Sequence, residues 1–207
     1  MTGSIKVPRL AIALVHHPIL DREKKIVATN ITNFDIHDIA RAATVYGVEK
    51  YYIIHPMREQ LMFVDRILDH WRVGQGAKFN PFRRTALENV VPFESLDLVK
   101  KDWGDRVGEF KTVVTHARPV EGLESWTISD FRDHLKSMPG LLIFGTGFGL
   151  TEEFMKGQDA LLESIRGAPP RDYRHLSVRS AEVYMGVFLA FLLLLLIVFP
   201  SLIEQFI

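Results

Sequence analysis

The sequence predicts an α/β domain built on a mostly parallel sheet with helices on both faces. Short, continuous apolar runs alternate with stretches that carry apolar residues every third or fourth position, and glycine, proline and asparagine punctuate the two kinds. With 207 residues, 47% hydrophobic and 24% charged, the chain has enough apolar material for one sizeable core and too much of it for disorder.

The elements follow in order. Leu10–Val15 is a six-residue apolar run, right for a strand buried on both faces and too short for the core of a signal peptide. Asp35–Tyr46 carries Ile36, Ile39, Ala40 and Ala43 as a helical stripe, and Gly47 sits where a helix-ending glycine belongs. Lys50–Ile54 reads as a strand and Glu59–Trp71 as a helix with Leu61, Val64, Leu68 and Trp71 on one face. Asn80–Pro81 pairs a helix cap with a first-turn proline and opens a short helix through Asn89; a strand follows at Val90–Phe93. Ser95–Val107 (helix), Lys111–Thr115 (strand), Thr127–Met138 (helix) and Leu141–Phe144 (strand) continue the alternation. Thr151–Lys156 is a short helix, Ala160–Ile165 a strand, Arg166–His175 a loop, and a last helix starts near Ser177. Strands separated by helices make βαβ units, whose ligands bind at the carboxyl ends of the strands.

Lys plus Arg and Asp plus Glu each number 25, so the chain has no overall basic coat of the kind that binds nucleic acid non-specifically. There is no cysteine, which excludes disulfides, thiolate catalysis and cysteine zinc sites. The eight histidines form no His-Glu-x-x-His pattern and read mostly as ordinary core or surface residues, so no metal is expected.

Three segments can carry chemistry. Gly145-Thr146-Gly147-Phe148-Gly149-Leu150 follows a buried strand directly. Alternate glycines let backbone groups approach a ligand without side chains in the way. The loop is neither a phosphate-binding Gly-Lys-Ser/Thr loop nor a Gly-x-Gly-x-x-Gly fingerprint, and spacing alone leaves open a tight strand-to-helix turn without a ligand. The second segment, Thr29–Arg41, gathers Asn33, Asp35, His37, Asp38 and Arg41 around a helix start. Arg41 there can order a phosphate or an acceptor base; alternatively Asn33 caps the helix and Asp38–Arg41 is an exposed ion pair. In the third, Arg166, Arg171, Arg174 and Arg179 interleave with Tyr173 and His175, a pattern suited to phosphate contact and base stacking, or to a solvated basic loop.

The segments ALVHHPIL…TNITNFDIHDIARAATVYGVEKYYII, LLIFGTGFGL and IRG…HLSVRSA together resemble the SPOUT superfamily of S-adenosylmethionine-dependent RNA methyltransferases. Within it they resemble a subgroup of small bacterial proteins related to the tRNA guanine methyltransferases. The resemblance spans roughly residues 8–181 and implies a C-terminal trefoil knot and a homodimer. It implies that Phe144, Gly145, Thr146, Gly147, Gly149 and Leu150 hold the cofactor, with Thr115, His116 and Ala117 as a second wall. Ile165, Arg166, Gly167, Leu176, Ser177 and Val178 would wrap its adenine and ribose. Arg41 matches the family's arginine that acts on the acceptor across the dimer interface, with Asn33, His37 and Asp38 beside it. Arg171, Tyr173, Arg174, His175 and Arg179 would contact RNA. Relatives often carry Glu where Thr146 stands and Asn where Ser177 stands. Asp35, His37, Asp38 and His175 are the candidate general bases, and the sequence does not choose among them. The alternative function is a knotted protein that binds RNA or cofactor without turnover.

Residues 1–182 would form the knotted domain and 183–207 an apolar C-terminal helix. From Val183 to Ile203 there is no charged residue, long enough for a bilayer span. One reading is an anchor on the inner face of the cell membrane, the other a helix buried in the dimer; the rest of the protein is expected in the cytoplasm.

Overall fold

The computed structural model describes residues 9–164. Sixteen elements follow one another there: β1 (Leu10–Val15), β2 (Ile19–Leu20), β3 (Ile26–Val27), α1 (Asn33–Val45), β4 (Lys50–Ile54), α2 (Arg58–Arg72), α3 (Gln75–Phe79) and α4 (Pro81–Leu87), then β5 (Val90–Phe93), α5 (Leu96–Val107), β6 (Lys111–Thr115), β7 (Ser125–Trp126), α6 (Ile128–Leu135), β8 (Gly140–Gly145), α7 (Glu152–Lys156) and β9 (Ala160–Leu162).

Seven strands pair in the order β5-β4-β1-β8-β6-β9-β7, and every pairing is parallel. Pleating sends alternate residues to opposite faces. Leu10, Ile12 and Leu14 of β1 therefore join Ile36, Ile39, Val64, Leu68, Phe131 and Leu135, so α1, α2 and α6 cover one face. Ala11, Ala13 and Val15 join Val99, Trp103 and Met155, so α5 and α7 cover the other. The expected helices on both faces are present, and the sheet is wholly rather than mostly parallel.

Several boundaries differ from the sequence reading. The α1 cap is Thr32, not Asn33, which is the first helical residue. Both residue types can cap, but only Thr32 has Asp35 three places on. The Thr32 hydroxyl accepts from Asp35 N while Asp35 Oδ2 accepts from Thr32 N at 2.6 Å, a reciprocal capping box. The small β2–β3 pair and β7 are two-residue strands with no periodicity to betray them. The Asn80 cap and Pro81 at the first turn of α4 are as expected. Strand β9 ends at Leu162, short of the expected Ile165, because Glu163 and Ser164 have no paired residue in β6 or β7. The knot and the apolar helix over 183–207 lie outside the described residues. Among the described residues no helix is long and apolar enough to cross a membrane.

Candidate functional site

The chain steps outward from β1 to β4 and β5 on one side, while β8, β6, β9 and β7 lie on the other. The reversal falls between β1 and β8, and crevices at such reversals are where open α/β sheets bind ligands. Two connections leave the carboxyl edge there: 16–32 after β1 and 146–151 after β8. A third, starting at His116, leaves the neighbouring strand β6.

The glycine bend is a tight turn laced to the segment after β1. Gly149 N donates to Thr146 O at 3.0 Å, and Gly147 and Gly149 adopt φ of +56° and +100°. Leu20 N donates to Gly149 O at 2.9 Å, Phe148 N donates to Leu20 O at 3.3 Å, and Ile19 bridges Leu150. A Cβ at Gly147 would come to 3.0 Å from Ile19 Cγ2, and one at Gly149 to 3.3 Å from the His116 ring. One at Gly145 would meet Leu150 Cγ at 2.8 Å. The glycines thus serve the chain's own close approaches, the structural alternative that spacing left open. Gly145, Gly147 and Phe148 nevertheless keep part of their surface in solvent, as do Thr115, His116 and Ala117. The bend and the end of β6 are therefore neighbours at one partly open edge.

Beneath the bend lies a polar network that the sequence reading missed. His16 Nδ1 is 3.0 Å from the Thr29 hydroxyl, and that hydroxyl is 2.5 Å from the hydroxyl of Thr146. Thr146 in turn donates to Val15 O at 3.4 Å. That order of donors makes Thr29 the donor to Thr146 and His16 the Nδ1–H donor to Thr29. Thr29 N also donates to His16 O, and His55 Nε2 donates to Thr29 O at 3.1 Å while its Nδ1 accepts from Met57 N. Burial, then the neighbouring His55, pushes His16 down to about 3, so the ring is neutral. Its Nε2 is buried without a partner among the described residues. A histidine placed directly after a fully buried strand is the one local signal that could have pointed here.

The α1 segment begins a few residues after Thr29. Asp35 is buried and committed to the capping box, and burial raises its carboxyl above the usual range despite the Thr32 hydrogen bonds. Asp38 pairs with exposed Arg41 on the same helix face. His37 packs edge-on to Trp71 at 5.8 Å with its Nδ1 buried and unpartnered. Burial and then the Arg83 charge lower its pKa, leaving a neutral imidazole with a free ring nitrogen. Asn33 is exposed at the helix start.

Thr115, His116, Ala117, Phe144, Gly145, Thr146, Gly147, Gly149 and Leu150 are thus brought to one region of the sheet edge, and Thr146 is tied to the loop that leads into the helix of Asn33, His37, Asp38 and Arg41. Ile165, Arg166, Gly167, Arg171, Tyr173, Arg174, His175, Leu176, Ser177, Val178 and Arg179 lie outside the described residues.

A sequence model of a family described as SAM-dependent RNA methyltransferase matches residues 9–187. The chain belongs to that family. A tRNA (guanine-N(1)-)-methyltransferase of Nitratidesulfovibrio vulgaris is 38% identical over 172 residues, covering 83% of this chain and 40% of the relative. The chain therefore spans less than half the length of that relative. An uncharacterized protein of Aquifex aeolicus is 37% identical over 173 residues, covering 82% of each chain. Among solved structures, a probable methyltransferase from Bordetella pertussis superposes with a TM-score of 0.52 at 13% identity, covering 91% of this chain and 96% of that one. The fold is thus shared with a probable methyltransferase, and the RNA-methyltransferase family read from the motifs is the one the sequence model matches.

Proposed function

We propose that the chain transfers a methyl group from S-adenosylmethionine to RNA, in a homodimer whose active site lies between protomers. The observation that carries this reading is the family match over residues 9–187. The guanine specificity in the name of the N. vulgaris relative belongs to a protein more than twice as long as the part matched, so the acceptor is proposed only as RNA, with tRNA and rRNA as candidates.

What supports a cofactor site at the carboxyl edge is its partial openness: Gly145, Gly147 and Phe148 keep surface in solvent beside the half-buried end of β6. Residues 144–150 and Thr115–Ala117 would hold it on two sides, with Ile165–Gly167 and Leu176–Val178 completing the cradle. When bound, S-adenosylmethionine supplies a sulfonium methyl that an acceptor attacks in line, without a metal. The chain's own work is then alignment and proton removal. Arg41, held by Asp38, orients the acceptor. Asp35, with its carboxylate engaged in the cap, and His37, with its Nδ1 buried beside Trp71, are both turned to the domain's interior, and Asp38 next to Arg41 is the more accessible proton acceptor of the three. Asn33 and His175 stand beside these in the same reading. Arg171, Tyr173, Arg174, His175 and Arg179 would meet RNA. The domain spans 1–182, and 183–207 packs in the dimer or contacts a membrane.

The test is transfer of tritium from labelled S-adenosylmethionine to bulk tRNA and rRNA by the purified full chain. Label that appears in RNA only with active protein supports the reading; cofactor binding without any label in RNA refutes it.

A further inference from the structure

Helices α3 and α4 form a short hairpin, Gln75–Leu87, that carries Lys78, Arg83 and Arg84 and no acidic residue, on a chain whose net charge is zero. At its turn, Phe79 and Phe82 are 87% and 89% exposed, the most solvent-open large apolar side chains among the described residues. They lie three residues apart around Asn80–Pro81, whose cap hydrogen bond to Arg83 N fixes the turn. Single exposed apolar residues are common, but a pair of phenylalanines set among cations is the composition of surfaces that stack bases and pair phosphates.

The hairpin is also joined to the helix of the candidate site. Thr44 Oγ1 on α1 donates to Ala86 O at 3.2 Å. Arg83 lies over the Trp71 ring at 4.5 Å, and Trp71 meets His37 edge-on. One stack of side chains thus runs from the hairpin to His37, one turn before Arg41. Among the described residues Phe79 and Phe82 pack against little, and the three cations of the hairpin outnumber the acid beside them, Glu88, which disfavours a basic partner.

We propose that the α3–α4 hairpin is a docking surface for a single-stranded stretch of RNA, whose bases stack on Phe79 and Phe82 while its phosphates meet Lys78, Arg83 and Arg84. Arg84 is drawn from its long 3.7 Å pairing with Glu88 on binding. The hairpin would then grip substrate outside the methylated nucleotide, adding affinity and selecting unpaired RNA over duplex. The inference rests on the RNA-methyltransferase reading of the same chain.

Fluorescence anisotropy on the full chain tests it, with a labelled oligouridylate of about twenty nucleotides and a duplex of equal length as probes. Phe79→Ala/Phe82→Ala should weaken binding of the single strand roughly tenfold or more, with an unchanged melting temperature, because both side chains are exposed. Lys78→Ala/Arg84→Ala should flatten the salt dependence by about one to two in the log–log slope. Binding by the aromatic double variant within twofold of the wild type overturns the proposal. So does a fall in mass by light scattering in that variant, which would make the patch a contact between copies of this chain, and so does equal capture of the two probes. If the wild-type chain binds RNA and methylates it while the variants bind unchanged, the hairpin assignment alone fails. If it neither binds nor methylates RNA, the parent reading fails too.

Discussion

The hydroxyl of Thr29 lies 2.5 Å from that of Thr146, across 117 positions of sequence. This contact fastens the connection after β1, which leads into α1, to the glycine bend after β8. Thr146→Val keeps the shape and removes the hydroxyl, leaving the Thr29 donor without its acceptor in a buried place. Urea unfolding should show a loss of about 1–2 kcal/mol, and Thr146→Ser should restore most of it. Cofactor affinity by calorimetry should fall with Val and recover with Ser, because the bend is then held only by its backbone bonds to Leu20.

Gly147 tests the bend itself. With φ of +56° and Ile19 Cγ2 at 3.0 Å from any Cβ, Gly147→Ala should cost about 1–2 kcal/mol and Gly147→Val more. Thermal melting reads both. Loss of cofactor binding in Gly147→Val would follow from displacement of the bend away from Ile19 and Thr29, not from a methyl group occupying the ligand's place.

The buried imidazole of His16 sets a pH dependence of stability. Its pKa falls from the ordinary 6.5 to about 3 on folding, so between those values the unfolded chain holds the extra proton. Stability is therefore fully present above about pH 6.5 and declines as pH falls, with a slope approaching ~1.4 kcal/mol per pH unit from this one group. His37, His55 and His134 are lowered by burial and act in the same direction. The wild-type curve should therefore be visibly steeper than that of His16→Gln between pH 6.5 and 5, above the range where carboxylates titrate. Parallel curves would remove His16 as a source of the slope.

Arg41→Ala should abolish methyl transfer to RNA while S-adenosylmethionine affinity stays within about twofold, since the side chain is exposed and its partner is Asp38. The stability cost of the lost ion pair should stay under ~1 kcal/mol. Full activity would take Arg41 out of the reaction.

Much of the fold was legible because fully parallel strands are buried on both faces and read as unbroken apolar runs: Leu10–Val15, Lys50–Ile54 and Leu141–Phe144 needed no further help. The capped helix starts at Asn80, Ser95 and Thr151 were legible for the same local reason. At Thr32-Asn33 two eligible caps stand together, and only the reciprocal carboxylate of Asp35 decides between them. The end of α2 was legible where the apolar stripe stops at Trp71, but the five-residue α3 was not, because no stripe runs through it; Gly76 is there because a Cβ would strike Trp71 at 2.7 Å. The His16–Thr29–Thr146 chain was invisible for a different reason. Each member looks like an ordinary core or turn residue, and only the pairing of β1 with β8 brings the first two to the third.

The place of β8 between β1 and β6 has a consequence for biosynthesis. Leu10 pairs with Gly140, so the middle of the sheet is the part made nearly last among residues 9–164. A nascent chain that has not yet released its Leu-Leu-Ile-Phe run holds β1 and β6 with unmated flanks, apolar and ready to recruit other chains. Such a topology predicts slow folding, by closure of a long loop onto a waiting slot, with stopped-flow refolding as the measurement that checks it.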